Sequence, residues 1–331
     1  MSSKTLTVCL IALVAAFGTA LGQDIKKIRI GYPSVSTTQS HIWVGQEQGL
    51  FRKYGLDVEP ILLRGGQMAT QSLAAGDPPI VNIGTVVQAN LQGHNMALVA
   101  AVQSQYDFHV FSRPEITRLE QLKGKRLGIT GFGSATHFAS RILLRHLNLE
   151  PNKDVALVPA GLDPERVAAI AAGRIDASFF TSVATPLAQK AGLNKLLYFG
   201  DLGFEVQGNG LATTRSYIQS QREIVKSAVK GYVEAIHFIH ANKKEAQKVF
   251  AKYMRNDDPE FLEFAHQLYV KLIPKKPYPT IKGIQNLLDL LAPQMEQAKT
   301  AKPEQFVDLT FLQELEKEGF YNEMAKRYAL K

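Results

Sequence analysis

Two stretches of this chain, ninety-seven residues apart, read as copies of one unit. In the segments beginning IRIGYPSVSTTQS and RLGITGFGSATHF, Ile30-Gly31 falls on Leu127-Gly128 and Thr37 falls on Ser134. At the same offset Asp57-Val58 falls on Asp154-Val155, Leu73-Ala74-Ala75-Gly76 on Ile170-Ala171-Ala172-Gly173, and Thr85 on Ser182. An offset held from a strand, through a hydroxyl-rich turn, to the end of the next helix describes two βαβαβ-type halves. Two like lobes facing one another leave a cleft between them.

The second copy is the clearer. A short apolar run, Leu127 and Ile129, ends in Gly131-Phe132-Gly133-Ser134-Ala135-Thr136-His137, and an amphipathic segment follows. That is the order of a strand, a tight glycine turn and a helix start, with Ser134 or Thr136 able to cap the helix. Free N–H groups at such a start, with the positive end of the helix dipole, can receive an anion or a carbonyl.

Ahead of the first copy, Lys4 gives a basic start, Leu6 to Leu21 a short apolar run, and Ala20-Leu21-Gly22 a small–x–small cleavage site before Gln23. The expectation is a cleaved signal peptide over residues 1–22, with no later stretch apolar enough to span a bilayer. Cys9, the only cysteine, lies inside that run, so the mature chain has no disulfide, cysteine–metal site or cysteine nucleophile. The formal charge of +8 is dispersed, with small clusters at Lys123-Lys125-Arg126 and Lys243-Lys244 that have acids nearby. No basic stripe interleaved with aromatics is present, which argues against a nucleic-acid binder.

In order, strands are expected at 28–32, 58–63, 80–83, 96–102, 109–111, 126–129, 155–158, 178–180, 196–199 and 211–214. From Ser216 the pattern is helical only, with helices expected at 223–242, 259–272, 281–299, 309–317 and to about 328, and Pro274 to Pro279 as a break. The second lobe, 113–205, is thus an insertion in the first, 23–112 plus 206–331. One strand out and one back would join them as a hinge.

The runs SHIWVGQEQGLFRKYGLDVE, SLAAGDPPIVNIG, LEQLKGKRLGITGFGSATHFASRILLRHLNLEPNKDV and AAGRIDASF resemble one large family across nearly all of the mature chain. It is the nitrate/sulfonate/taurine and thiamine-pyrimidine (NitT/TauT-like) branch of ABC-transporter solute-binding proteins. The resemblance implies an α/β type II periplasmic-binding-protein fold of two lobes on a two-strand hinge, with extra C-terminal helices here. It implies a periplasmic monomer that passes a small-molecule ligand to an inner-membrane ABC permease and needs no cofactor or metal. Members of the family take sulfonates, nitrate, pyrimidines, flavin or aromatic acids, so the ligand is not implied.

Candidate ligand contacts follow from the loops at strand ends. They are Gly133, Ser134, Thr136 and His137 in lobe two, and Ser36, Thr37, Thr38 and Gln39 in lobe one. Gly84, Thr85 and Ser182 follow the matched third strands, and Gln105, Tyr106 and Gln207 flank the crossings. Each loop could equally be an N-cap satisfied within the protein. No cleft arginine is evident, although Arg113, Arg141 or Arg215 could point inward. Trp43 reads as core; Trp43, Phe132 or Tyr106 would hold a flat ligand. Glu234, His237 and His240 recur at threes on a helix, which suggests a metal site or, better, a solvated polar face.

No G-x-S-x-G, H-E-x-x-H or paired-cysteine spacing is present. The pyrimidine synthases that resemble this fold use a cysteine-rich segment that the mature chain cannot supply. The expectation is therefore a non-enzymatic receptor for a small organic anion of sulfonate or nitrate type. The alternatives are a pyrimidine or aromatic receptor and, third, an enzyme on the same scaffold.

Overall fold

The computed structural model describes residues 25–330; the expected signal peptide, 1–22, lies outside the described residues. Lys26–Tyr32 forms β1, in which Ile28, Ile30 and Tyr32 turn inward while Arg29 stays exposed. Leu56–Leu62 (β2) and Ile80–Ile83 (β3) run parallel to it on either side. Met96–Ala101 (β4) completes the first segment, and all its residues are buried.

The second sheet repeats the plan with Phe108–Ser112 (β5), Arg126–Ile129 (β6), Ala156–Pro159 (β7), Ala177–Thr181 (β8) and Asn194–Tyr198 (β9). Gly210–Thr214 (β10) then returns to the first sheet. The orders are β2-β1-β3-β10-β4 and β7-β6-β8-β5-β9, so β10 and β5 hold equivalent places, each antiparallel to its neighbours.

The sequence offset is written into the hydrogen-bond register. Ile30 pairs with Pro60 and Ile80 in the first sheet; Leu127 pairs with Leu157 and Ala177 in the second, every number larger by 97. In the loop after the first strand the correspondence slips by one. Ser36 bonds Thr38 through their hydroxyls at 3.0 Å, and Ser134 bonds Thr136 in the same way at 2.9 Å. Ser36, not Thr37, is therefore the counterpart of Ser134. The turn from Thr130 to Gly133 contains one residue more than Pro33 to Val35.

Segments 102–107 and 199–209 cross between the sheets side by side. Val102 N–H donates to Asn209 O at 3.0 Å, Gly208 N–H to Gln103 O at 3.0 Å and Val206 N–H to Ser104 O at 3.0 Å. The fold is thus the two-lobed, type II arrangement, with a doubled connection between lobes.

Helices cover both faces: Ser40–Glu47 (α1), Gly66–Ala74 (α2) and Val86–Leu91 (α3) in the first lobe, and Ala135–His146 (α4), Asp163–Ala171 (α5) and Thr185–Lys190 (α6) in the second. Arg215–Ser220 (α7), Arg222–Ala241 (α8), Lys243–Met254 (α9), Pro259–Leu272 (α10), Ile281–Leu291 (α11), Thr310–Lys317 (α12) and Phe320–Arg327 (α13) follow. Two of these, α7 and α9, are absent from the sequence reading, and α11 ends at Leu291, because Pro293 prevents the helix from continuing to Lys299.

Trp43 is core, as expected: fully buried, stacked 5.0 Å from Tyr253 and edge-on to Tyr32 at 5.5 Å. It joins Phe51, Tyr232, Phe250 and Phe311 in the cluster that fixes the C-terminal helices to the first sheet. Each such side chain contributes on the order of 2 kcal/mol by leaving water. A second cluster is continuous between lobes, with Phe138 and Ile142 of α4 in the same core as Val86 of α3 and Leu287 of α11.

The polar residues of α8 overturn the expectation of a solvated face. Glu234 and His237 are 1% and 2% exposed. Glu234 accepts from Lys53 at 2.8 Å, Arg327 at 2.8 Å, Tyr328 at 2.8 Å and Tyr54. His237 and His240 instead bond to the carbonyls of Val233 and Ile273, at 2.9 and 3.0 Å. The helix is covered by α13 and the turn before β2, so its polar side faces protein rather than water.

Candidate functional site

The carboxyl ends of the parallel strands in both sheets converge on one cavity of about 860 Å³. This follows from topology: in each half the chain leaves β1, β2 and β3, or β6, β7 and β8, on the side where the other lobe stands. The size suits a small organic molecule.

Helix starts line the same space. The wall includes Ser36 and Thr38, Gly65 and Gly66 at the start of α2, Thr85 before α3, Ser134 to Thr136 at the start of α4, and Leu162 and Asp163 at α5. Ser134 caps α4, accepting from His137 N–H at 3.3 Å and donating to Gly131 O at 2.6 Å. No side chain caps α2 or α3. Gly66 and Thr85, at these two starts, are in the wall, and a helix start favours negative charge by about 0.3–1 kcal/mol, more when partly buried.

Close approach of the lobes depends on glycine. Gly65 has φ +102°, and a Cβ there would lie 2.9 Å from Thr130 Cγ2 of the opposite lobe. Gly133, with φ +76°, faces Gln88 across the same seam, where a Cβ would stand 3.3 Å from Oε1.

Of the candidate contacts, Ser36, Thr38, Gly84, Thr85, Ser134, Thr136 and Tyr106 are in the cavity wall. Thr38 accepts from Asn209 Nδ2 at 3.1 Å, and Thr85 shares a hydrogen bond with Thr70 at 2.6 Å, which orient both hydroxyls.

Thr37, Gln39, Gln105, Gly133, His137, Ser182 and Gln207 are outside the wall, because they satisfy or bury their polar groups inside a lobe. Thr37 is 1% exposed and its Oγ1 has no partner. Gln39 accepts from Asn82 Nδ2 at 2.7 Å, and Gln207 bridges Gly208 O and Thr280 N–H at 3.0 and 2.8 Å. His137 Nδ1 accepts from Gly133 N–H at 3.0 Å; burial, then the Arg141 charge, push its pKa down to about 4. Ser182 donates to Asp107, and Gln105 is half-buried beside the crossing. Phe132 is 45% exposed away from the cavity.

The arginines differ from expectation too. Arg113 and Arg126 pair with Asp176, Arg141 donates to Leu290 O at 2.9 Å, and Arg215 donates to Gln305 O at 2.9 Å. None of them reaches the cavity, whereas Arg64, Arg166 and Arg255 do. Arg166, 2% exposed, spends its guanidinium on Asp163, Gly161 O, Phe179 O and Thr130. Arg64 pairs with Glu165 of the opposite lobe across the mouth.

Sequence reasoning also missed Asp107 and the turn after α9, where Lys252 to Asn256 close one side of the mouth. Among the described residues no three His, Cys, Asp or Glu side chains cluster as a metal site, and no helix is long and apolar enough to cross a membrane.

A family model described as "NMT1/THI5 like" matches residues 36–246. A Brucella abortus (strain 2308) chain that carries only a provisional binding-protein name is 24% identical over 265 residues, 78% of this chain and 80% of that one. Among solved structures, the ligand-binding component of an ABC-type import system from Staphylococcus aureus, with zinc bound, matches with a TM-score of 0.70 at 14% identity, covering 87% of this chain and 98% of its own. The alkanesulfonate-binding protein SsuA from Xanthomonas axonopodis pv. citri, bound to MOPS, matches with a TM-score of 0.68 at 19% identity, covering 82% and 97%.

Proposed function

The chain belongs to the NMT1/THI5-like family, and from that premise we propose that it is the exported receptor of an ABC importer. It captures a small organic anion of sulfonate or nitrate type between its lobes and hands it to an inner-membrane permease. One observation carries the reading: strand ends and helix starts from two lobes face a single cavity, with α2 and α3 of the first lobe and α5 of the second uncapped by any side chain. An anion there gains the start of α2 and the hydroxyls of Ser36, Thr38, Thr85 and Thr136. Because the contacts are divided between lobes, binding favours the closed form, which is the form a permease would read.

Because β5, Phe108–Ser112, lies in the second sheet, the division read from the sequence at 112 moves back to the crossing: the lobes proposed are 23–107 plus 206–331 and 108–205, with residues 1–22 as the export signal. SsuA, a structural neighbour, is named for alkanesulfonate, which is in keeping with this ligand class. A second reading, a flat pyrimidine or aromatic solute, draws on Tyr106 and Phe108 in the wall and on a volume well above that of a bare nitrate.

The test is a thermal-shift series on the mature chain with propanesulfonate, nitrate, pyrimidines and aromatic acids. Ligand at a hundred times its Kd stabilises the fold by about 2.7 kcal/mol. A raised melt with the ligand recovered unchanged supports the receptor. Recovery of a reaction product would replace it with an enzyme on this scaffold.

A further inference from the structure

The cavity wall holds three carboxyl groups, Asp107, Asp163 and Glu165, and four cations, Arg64 and Arg166 with Lys252 and Arg255 at the mouth. Asp163 is paired with Arg166, and Glu165 with Arg64. Asp107 also lines the cavity, is 5% exposed, and makes no ion pair with any lysine or arginine among the described residues. Its neighbours are neutral donors. Ser182 Oγ donates to Oδ1 of Asp107, so the Ser182 oxygen is left to accept from His109 Nε2 at 3.1 Å.

His109 is not a hidden counter-ion. Its Nδ1 is buried without a partner, as a neutral imidazole protonated at Nε2 requires, and burial and Lys195 hold its pKa down at about 4. Asp163 opposes the charge of Asp107. Burial raises the pKa of Asp107, so its carboxylate is held charged where a cation is supplied to it. Asp107 lines the cavity, and a ligand there can supply one.

We propose that Asp107 is the specificity-determining residue of the cavity and that it receives a cationic nitrogen of the ligand, an ammonium or amidinium. This rests on the receptor reading and sharpens its ligand class. The solute has an anionic end for the start of α2 and the hydroxyls of Ser36, Thr38 and Thr85, and a cationic end for Asp107, at the crossing between lobes.

Calorimetric titration with two matched pairs tests it: 3-aminopropanesulfonate against propanesulfonate, and benzamidine against benzamide. The wild-type chain is expected to bind the cationic member of a pair at least tenfold more tightly. Asp107→Asn keeps an acceptor for Ser182 and should erase that preference, the cationic member of each pair losing affinity relative to its partner; Asp107→Ser carries the same comparison should the first variant not fold. Preference in the sulfonate pair, lost in the variant, supports both this assignment and the anion reading. Preference in the benzamidine pair alone, lost in the variant, supports Asp107 and overturns the anion reading. Binding without preference in either pair, or a preference that survives in the variant, overturns the role of Asp107 and leaves the receptor standing. Binding of none of the four overturns the role of Asp107.

Discussion

Gly65 and Thr130 belong to different lobes, yet a Cβ on Gly65 would lie 2.9 Å from the Thr130 methyl. The closed seam therefore depends on a hydrogen atom at this position.

Gly65→Ala should act twice. At φ +102° an alanine costs about 1 kcal/mol in backbone strain, which lowers the melting temperature of the ligand-free chain. The added methyl also opposes closure, so ligand affinity should fall about tenfold or more. Calorimetry and small-angle scattering check the two effects; an unchanged affinity would show that the lobes need not approach this closely.

The Arg64–Glu165 pair spans the mouth, but both side chains are largely exposed, 58% and 43%. A double-mutant cycle with Arg64→Gln and Glu165→Gln should give a coupling below about 1 kcal/mol. Because the pair is open to solvent, coupling measured from urea melts should fade further at about 1 M salt, where the screening length is about 3 Å.

Glu234→Gln should be costly. It leaves the Lys53 and Arg327 charges facing a buried amide, with two tyrosine hydroxyls nearby. Breaking a buried pair from one side costs about 3–5 kcal/mol, and the partial exposure of Lys53 and Arg327 places the expected loss near 3 kcal/mol. Urea unfolding measures it, and a loss under about 1 kcal/mol would mean the network adds little beyond packing.

His41 gives a pH dependence with a definite sign. It is fully buried beside Tyr232, with ring centres 4.3 Å apart, and burial pushes its pKa from 6.5 down to about 3. Unfolding therefore takes up a proton at any pH between those values. Stability present above about 6.5 is lost as pH falls, by up to about 1.4 kcal/mol per unit from this residue alone. Burial also lowers His109, His137, His237 and His240, which adds in the same direction. Urea melts from about pH 7 to about pH 5 should show the decline, and His41→Asn should flatten it.

Ser134→Ala removes the cap of α4 and its bond to Gly131 O. Loss of an N-cap costs about 1 kcal/mol. A matching drop in thermal stability is expected, together with weaker ligand binding as the helix start loosens.

The duplication was legible because strands repeat a strict spacing: Ile30 and Leu127 are equivalent in the sequence and in the ladder. The one-residue slip that aligns Ser36 with Ser134 was not, since two neighbouring hydroxyls look alike until Ser36 bonds Thr38 as Ser134 bonds Thr136. The helix Lys243–Met254 was missed because Asn242 stops α8 and the Lys243-Lys244 pair reads as surface. With it went the turn at Lys252–Asn256 that closes the mouth. Ser182 and Gln207 carry the right chemistry but spend it on Asp107 and Thr280, partners 75 and 73 residues away. Arg64 gives no local sign that its counter-ion is Glu165, 101 residues downstream. Asp107 left no mark in the sequence either, because only its burial without a counter-ion makes it unusual.

Strand β10 enters the first sheet between β3 and β4 from beyond the whole second sheet. As the chain emerges, residues 26–101 must wait for residue 214 before that sheet has its fifth strand, whereas 108–198 already contain every strand of theirs. The lobe encoded later is thus the first that can finish folding. The segment translated earlier stays unfinished meanwhile, with the edges of β3 and β4 unpaired, and it is this interval in which the nascent chain most needs shielding from aggregation.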